Sequence, residues 1–256
     1  MTLRLTVIGC SGSFPGPDSA ASCYLIEVPW NGGAFRLLLD LGSGALGALQ
    51  RHVDLRSIDA VALSHLHPDH FFDLCALYVV SKYHPTGAWP SLPVFGPPKT
   101  AERLRLAYGM EPGASIDQQF TFTTYPDEPF RVGPLTVAVA RVDHPVTAYA
   151  IRVSQGTKSL VYSGDTAPCA ALETLAQGCD LLLAEASFLE RDTATNPAHV
   201  HLTGQQAAHL ATKAGAGRLV LTHVPPWHRS EDVHAEAAPH FAGELHMAES
   251  GAVFEL

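Results

Sequence analysis

Apolar residues along the chain fall in short runs, some alternating with polar positions, and Gly, Pro, Asn or charged clusters separate them. That pattern predicts many short strands with a few helices between them. Strands are expected at 3–8, 23–28, 35–39 and 60–64, with helices over 46–52 and 70–83. Pro85, Pro90, Pro93, Pro97 and Pro98 then give an irregular connection around one strand at 92–95, and a helix follows over 100–108. Strands resume at 120–124, 135–142, 148–153, 160–163, 181–184 and 218–222, with helices over 170–177 and 205–214. Strand runs followed by strand and helix alternation, twice over, suggest two sheets packed face to face with helices outside, in one domain spanning 1–256.

The 256 residues are 46% hydrophobic and 16% charged, which supplies a packed core and excludes intrinsic disorder. Sixteen Lys and Arg stand against 25 Asp and Glu, a net charge of −9, and Lys82, Lys99, Lys158 and Lys213 are scattered. Binding to long nucleic acid or to a membrane surface is therefore not expected, because both need clustered positive charge. Residues 1–8 read as a strand with Arg4 inside it rather than a secretory leader, and no run has the length of a membrane span. The five cysteines contain no C-x-x-C pair, so neither a disulfide framework nor a thiolate zinc site is indicated. A cytoplasmic setting is expected.

Fourteen histidines are unevenly spread, and the densest group is Ser64-His65-Leu66-His67-Pro68-Asp69-His70, where an apolar strand ends and a helix begins. Three imidazoles and a carboxylate this close would each need a polar partner in a core, whereas as ligands for zinc, manganese or iron they are natural. Further ligands are expected at other strand ends: Asp143-His144, Gly164-Asp165-Thr166 and Thr222-His223 each directly follow an apolar run. One histidine after a strand is usually a solvated loop residue. The recurrence is what makes these candidates.

The pattern H-x-H-x-D-H at 65–70, then His144, Gly-Asp-Thr around Asp165 and a late His223, resembles the metallo-β-lactamase-fold hydrolases over essentially the full chain. The resemblance implies an αββα sandwich, two mixed sheets face to face with helices on both outer faces, and two divalent metal ions at one edge. It assigns His65, His67 and His144 to the first ion, Asp69, His70 and His223 to the second, and Asp165 to both. Zinc is the first choice, with manganese, iron or magnesium open.

The stretch Ala198-His199-Val200-His201-Leu202-Thr203-Gly204-Gln205-Gln206-Ala207 resembles an element of ribonuclease Z-like phosphodiesterases, with Leu202 where a small hydroxylated residue is usual. Thr203 and Gln206 form a capping box that would fix His201 beside a positive helix end, suited to a charge-neutralising or proton-donating role. His199 is the weaker neighbour. The glycine-rich turn at 8–13, with 16–22, 44–52 and 83–85, resembles bacterial atypical class II cyclic-AMP phosphodiesterases; its backbone N–H groups would approach the metals or a phosphate.

The expected reaction is hydrolysis of a small phosphodiester, a 3′,5′-cyclic nucleotide such as cyclic AMP, by a hydroxide activated between two metals, with Asp69 and His201 catalytic. The alternatives are ribonuclease Z-like RNA processing, or a lactonase or thioesterase on the same fold. A basic Gly/Pro-rich arm for a large RNA is not found. Tyr83, His84, Trp89 and Trp227 are candidate base-stacking residues. His228, Arg229, His234, His240 and His246 read as solvated surface, and Cys169 as a small hydrophobe. A homodimer is compatible with the fold.

Overall fold

A computed structural model describes residues 2–111 and 113–256; Met1 and Pro112 lie outside the described residues. The first half contributes β1 (Arg4–Ser11), β2 (Ala20–Ala21), β3 (Cys23–Trp30), β4 (Gly33–Leu39), α1 (Ala45–Leu49), β5 (Ala60–Ala62), α2 (Pro68–Phe71), α3 (Leu74–Tyr83), β6 (Leu92–Gly96), α4 (Thr100–Tyr108) and β7 (Phe120–Thr124). The second contributes β8 (Phe130–Val132), β9 (Leu135–Arg141), β10 (Tyr149–Gln155), β11 (Lys158–Tyr162), α5 (Ala170–Leu175), β12 (Leu181–Glu185), α6 (Gly204–Ala214), β13 (Arg218–Thr222), α7 (Ser230–Ala237), β14 (Glu244–Met247) and β15 (Val253–Glu255).

One sheet runs β15-β1-β3-β4-β5-β6-β7 with β2 beside β1, and the other runs β14-β13-β12-β11-β10-β9-β8. Both are mixed: β4 to β7 and β11 to β14 pair in parallel, and the remaining neighbours along each order are antiparallel. The last strand returns to the first, with Arg4 opposite Glu255 and the Leu256 amide donating to the Leu3 carbonyl at 2.9 Å.

Strand alternation sorts the side chains into layers. Leu37 and Leu39 enter the core between the sheets while Leu38 packs under the helices of the first face. Val220 faces the other sheet, and Leu219 and Leu221 pack on α5, α6 and α7. Strands buried on both faces read as near-continuous apolar runs, which is why they were legible. The architecture is the expected αββα sandwich of two mixed sheets with helices on both outer faces.

Several boundaries differ from the sequence pattern. The helix expected over 70–83 is two helices, α2 and α3, broken at Phe72 and Asp73. The Asp73 carboxylate accepts the Leu46 amide at 2.8 Å, and its own amide donates to the Leu41 carbonyl, so a tertiary tie interrupts the helical ladder. Strands β2, β8, β14 and β15 and helix α7 were not anticipated; the strands are short and all four hold half-exposed or exposed residues, leaving little apolar signal. No helix among the described residues is long and apolar enough to cross a membrane.

Gly42 is where the loop after β4 presses on the chelating loop: a Cβ there would sit 1.9 Å from the Asp69 carbonyl oxygen. Gly42→Ala is expected to destabilise the fold by about 3 kcal/mol, read as a lowered urea midpoint with an unchanged slope.

Candidate metal centre

The candidate ligands and the two acids behind them, Asp40 and Glu185, sit at or just past the carboxyl ends of strands. Asp40 follows β4, residues 63–70 follow β5, His144 lies between β9 and β10, Asp165 follows β11, Glu185 closes β12 and His223 follows β13. Parallel strands carry these ends to one rim, so residues far apart in sequence converge there.

His65 Nε2 lies 3.0 Å from His67 Nδ1, and His144 Nε2 lies 3.3 Å from the same His67 atom. Beside them, His70 Nε2 and His223 Nε2 are 3.1 Å apart, and Asp69 Oδ2 is 3.1 Å from His223 Nε2 and 3.5 Å from His70 Nε2. Asp165 links the groups: Oδ2 is 3.7 Å from His65 Nε2, while Oδ1 is 3.2 Å from His70 Nε2 and 3.5 Å from His223 Nε2. Asp165 Oδ1 is buried with no hydrogen-bond partner among the described residues. A buried carboxylate oxygen aimed at facing imidazole nitrogens is costly for protein alone and fits a bound cation. The structure thus brings together all seven residues expected as ligands, in the groups His65, His67, His144 and Asp69, His70, Asp165, His223, each able to hold a metal ion.

The outer ring nitrogens are held in place. Ser64 Oγ lies 3.0 Å from His65 Nδ1, the Val200 carbonyl 2.9 Å from His144 Nδ1, and Ser187 Oγ 2.8 Å from His223 Nδ1. His70 Nδ1 lies 2.7 Å from Asp40 Oδ2. Such partners fix the ring orientation and leave the inner nitrogen free to bind a cation. His223 itself has a left-handed backbone, φ 56°, and a Cβ on Gly12 would sit 2.2 Å from its carbonyl oxygen, so the glycine-rich turn packs against this ligand. The Ser13 N–H approaches His223 Nε2 at 3.5 Å.

Burial lowers the pKa of His65, His67 and His144, keeping these imidazoles in the neutral, lone-pair-bearing form. Burial also opposes the charge on Asp69 and Asp165, yet the surrounding imidazoles outweigh it. Contacts with His223 and His70 hold Asp69 well below the usual carboxylate range, and His223, His70 and His65 do the same for Asp165. His70 is raised despite its burial, because Asp165 and Asp40 flank it. A cation would take the place of that proton.

His201, expected beside a capped helix, is there: Thr203 accepts the Gln206 amide and Gln206 accepts the Thr203 amide, both at 3.1 Å, at the start of α6. His201 Nδ1 lies 2.9 Å from Glu185 Oε1 and 4.0 Å from Asp165 Oδ2. Burial lowers its pKa, but Glu185 more than compensates and pushes it up to about 9. Glu185, His201 and His223 also lie close enough to be a third metal candidate. The Glu185 oxygens, however, already accept the Thr166 amide at 2.7 Å and the Ser187 hydroxyl at 2.8 Å, which marks Glu185 as a hydrogen-bonding partner.

Sequence reasoning missed Asp40, Glu185 and Ser187. Asp40 is fully buried with φ 59° and accepts Ser64 N at 2.6 Å, Ser64 Oγ at 2.7 Å and Tyr162 Oη at 2.8 Å besides facing His70. Asp40 and Glu185 each end an apolar strand, the same signal that singled out Asp165. Asp40→Asn puts an amide where four donors converge and is expected to weaken divalent-metal affinity about 10- to 100-fold, measured by competition with a chromogenic chelator.

Other candidates fall elsewhere. Tyr83, His84 and Trp89 lie between α3 and the amino end of β6, at the sheet edge opposite the site, where His84 and Arg56 pack on Trp89. This corrects their expected place beside the centre. Trp227 stands on the loop after His223, exposed, with its ring 5.2 Å from that of exposed Phe14 on the glycine-rich turn. His199 turns outward to Asp143 at 2.6 Å. Cys169 is half-buried with its sulfur 3.7 Å from Thr166 Oγ1. His228, Arg229, His234, His240 and His246 are exposed or half-exposed, on and around α7 and β14.

The family model described as the β-lactamase superfamily domain matches residues 36–224. An uncharacterised Mycobacterium leprae protein is 42% identical over 262 residues, covering 100% of this chain and 89% of the relative. The Bacillus subtilis protein YhfI, named a metallo-hydrolase, is 33% identical over 263 residues, covering 99% of this chain and all of the relative. Its crystal structure, described as a metallo-β-lactamase fold protein, superposes with a TM-score of 0.88 at 31% identity over the full length of both chains. Ribonuclease Z of Mycobacterium bovis is 32% identical over 272 residues, covering 96% of this chain and 95% of the relative.

Proposed function

The chain belongs to the β-lactamase superfamily and is a metallo-hydrolase of that fold, and from this premise we propose that it hydrolyses a small phosphodiester, foremost a 3′,5′-cyclic nucleotide such as cyclic AMP. Two divalent cations are proposed, zinc first: one on His65, His67 and His144, the other on Asp69, His70 and His223, with Asp165 shared. When bound, such ions supply Lewis acidity and lower the pKa of water from about 15.7 towards 7.

The observation that carries the phosphodiester reading is the placement of His201, held by Glu185 at 2.9 Å and 4.0 Å from Asp165, beside the chelating cluster. Breaking a P–O bond to an alkoxide leaves a strongly basic oxygen, and a protonated imidazole beside the chelating cluster can hand it a proton. Glu185 holds Nδ1, which leaves Nε2 as the donating atom. The capping box of α6 fixes the segment that presents the ring, and Phe188 meets it edge-on at 5.0 Å. Asp69 Oδ2 faces His223 and His70, and the same carboxylate is placed to orient the attacking water. Ribonuclease Z, named for an enzyme acting on RNA, supports phosphodiester chemistry; the net charge of −9 and scattered lysines favour a small substrate over RNA. The exposed Phe14 and Trp227 pair is the candidate contact for a base.

Native metal content should be measured alongside turnover of cyclic nucleotides, bis(p-nitrophenyl) phosphate and a lactone. Hydrolysis of the phosphodiesters with about two metal equivalents is expected. Turnover of the lactone alone would overturn the reading.

A further inference from the structure

A groove of about 400 Å³ opens beside the first metal group, and His67 belongs to both. Its apolar wall includes Leu66, Leu106 and Val146, the last two exposed at 68% and 40%. Lys99 and Arg103 line its rim together with Glu102, two cations to one anion. Neither Lys99 nor Arg103 makes an ion pair or side-chain hydrogen bond among the described residues, in a chain where acids outnumber bases 25 to 16. Most other basic side chains here do find partners, such as Arg36 with Glu27, Lys158 with Asp180 and Arg218 with Glu244.

His67 adds an independent observation. The outer nitrogens of His65, His70, His144 and His223 all have protein partners, but the hydrogen bonds of His67 are made through Nδ1 alone, leaving Nε2 without a partner among the described residues. The ring therefore has one edge in the chelating cluster and a spare polar nitrogen, in a residue that also lines the groove.

We propose that this groove holds one arm of the phosphodiester, and that it selects an arm bearing an anionic group of its own, a second phosphate. This rests on the phosphodiester reading and adds a preference among such substrates. The apolar wall accommodates a sugar or base, while Lys99 and Arg103 meet the extra phosphate, and His67 Nε2 is free to bond to it or to the sugar.

The test uses a matched pair of chromogenic esters on the full-length, metal-loaded protein: thymidine 5′-(p-nitrophenyl phosphate) and the same ester carrying a 3′-phosphate. The wild type is expected to favour the 3′-phosphorylated ester about tenfold, mainly through KM, and Lys99→Glu with Arg103→Glu is expected to erase that ratio. Equal use of the two esters by the wild type, or an undiminished preference in the double variant, overturns the proposal. If neither ester is hydrolysed, the phosphodiester reading fails, and calorimetric titration with thymidine 3′,5′-bisphosphate then decides the groove separately. Binding by the wild type that the double variant loses supports it; no binding, or equal binding by both proteins, overturns it.

Discussion

Asp165→Ala is expected to leave a folded protein whose hydrolysis of bis(p-nitrophenyl) phosphate falls by about four powers of ten and whose metal content drops. Among the described residues, Asp165 has the only carboxylate whose two oxygens face both histidine groups, at 3.7 Å from His65 and 3.2 Å from His70. Losing it would remove an anion placed to offset the charge of both proposed cations. Metal-borne charge stabilisation of several kcal/mol, on the order of 5, corresponds to that rate loss at about 1.36 kcal/mol per power of ten. The surrounding strands β11 and β12 are buried apolar runs that do not depend on this side chain, so circular dichroism should be native-like. Metal content by elemental analysis and turnover should be measured on one preparation; full activity in a folded Asp165→Ala protein would remove the basis of the metal centre.

His201→Ala is expected to behave differently. Metal content should stay at the wild-type level, because none of the seven chelating candidates depends on the His201 ring for its outer hydrogen bond. The loss should fall on kcat, about 10²- to 10⁴-fold for a cyclic nucleotide, whose leaving oxygen needs a proton. For bis(p-nitrophenyl) phosphate the loss should be much smaller, since p-nitrophenolate departs as a stable anion. Equal losses on the two substrates would show that His201 acts by position or charge rather than by giving up a proton. Glu185→Gln should reproduce the substrate-dependent pattern in weaker form, because Glu185 is what keeps the imidazole protonated.

The sandwich and the convergence of the candidate ligands were readable because each rests on a local pattern. Buried parallel strands such as β12 and β13 are unbroken apolar runs, and the ligands stand where those runs stop. The same rule applied evenly would have picked out Asp40 after β4 and Glu185 at the end of β12. Edge elements were less legible. β14 and β15 hold no fully buried residue, so neither shows the alternation of a half-buried strand. The break between α2 and α3 depends on a bond from Asp73 to Leu46, a contact that no helical periodicity can encode. The misplaced aromatics have a similar cause: Tyr83 and Trp89 are close in sequence to the chelating loop, but α3 carries the chain back across the sheet.

The pairing of β15 with β1 makes closure of the first sheet depend on two segments far apart in sequence. Without Val253 to Glu255 in place, Arg4, Leu5 and Thr6 present a bare hydrogen-bonding edge, a template for intermolecular strand addition. Deleting residues 253–255 should turn the protein into insoluble material even though every candidate ligand is retained, read as the soluble fraction after centrifugation.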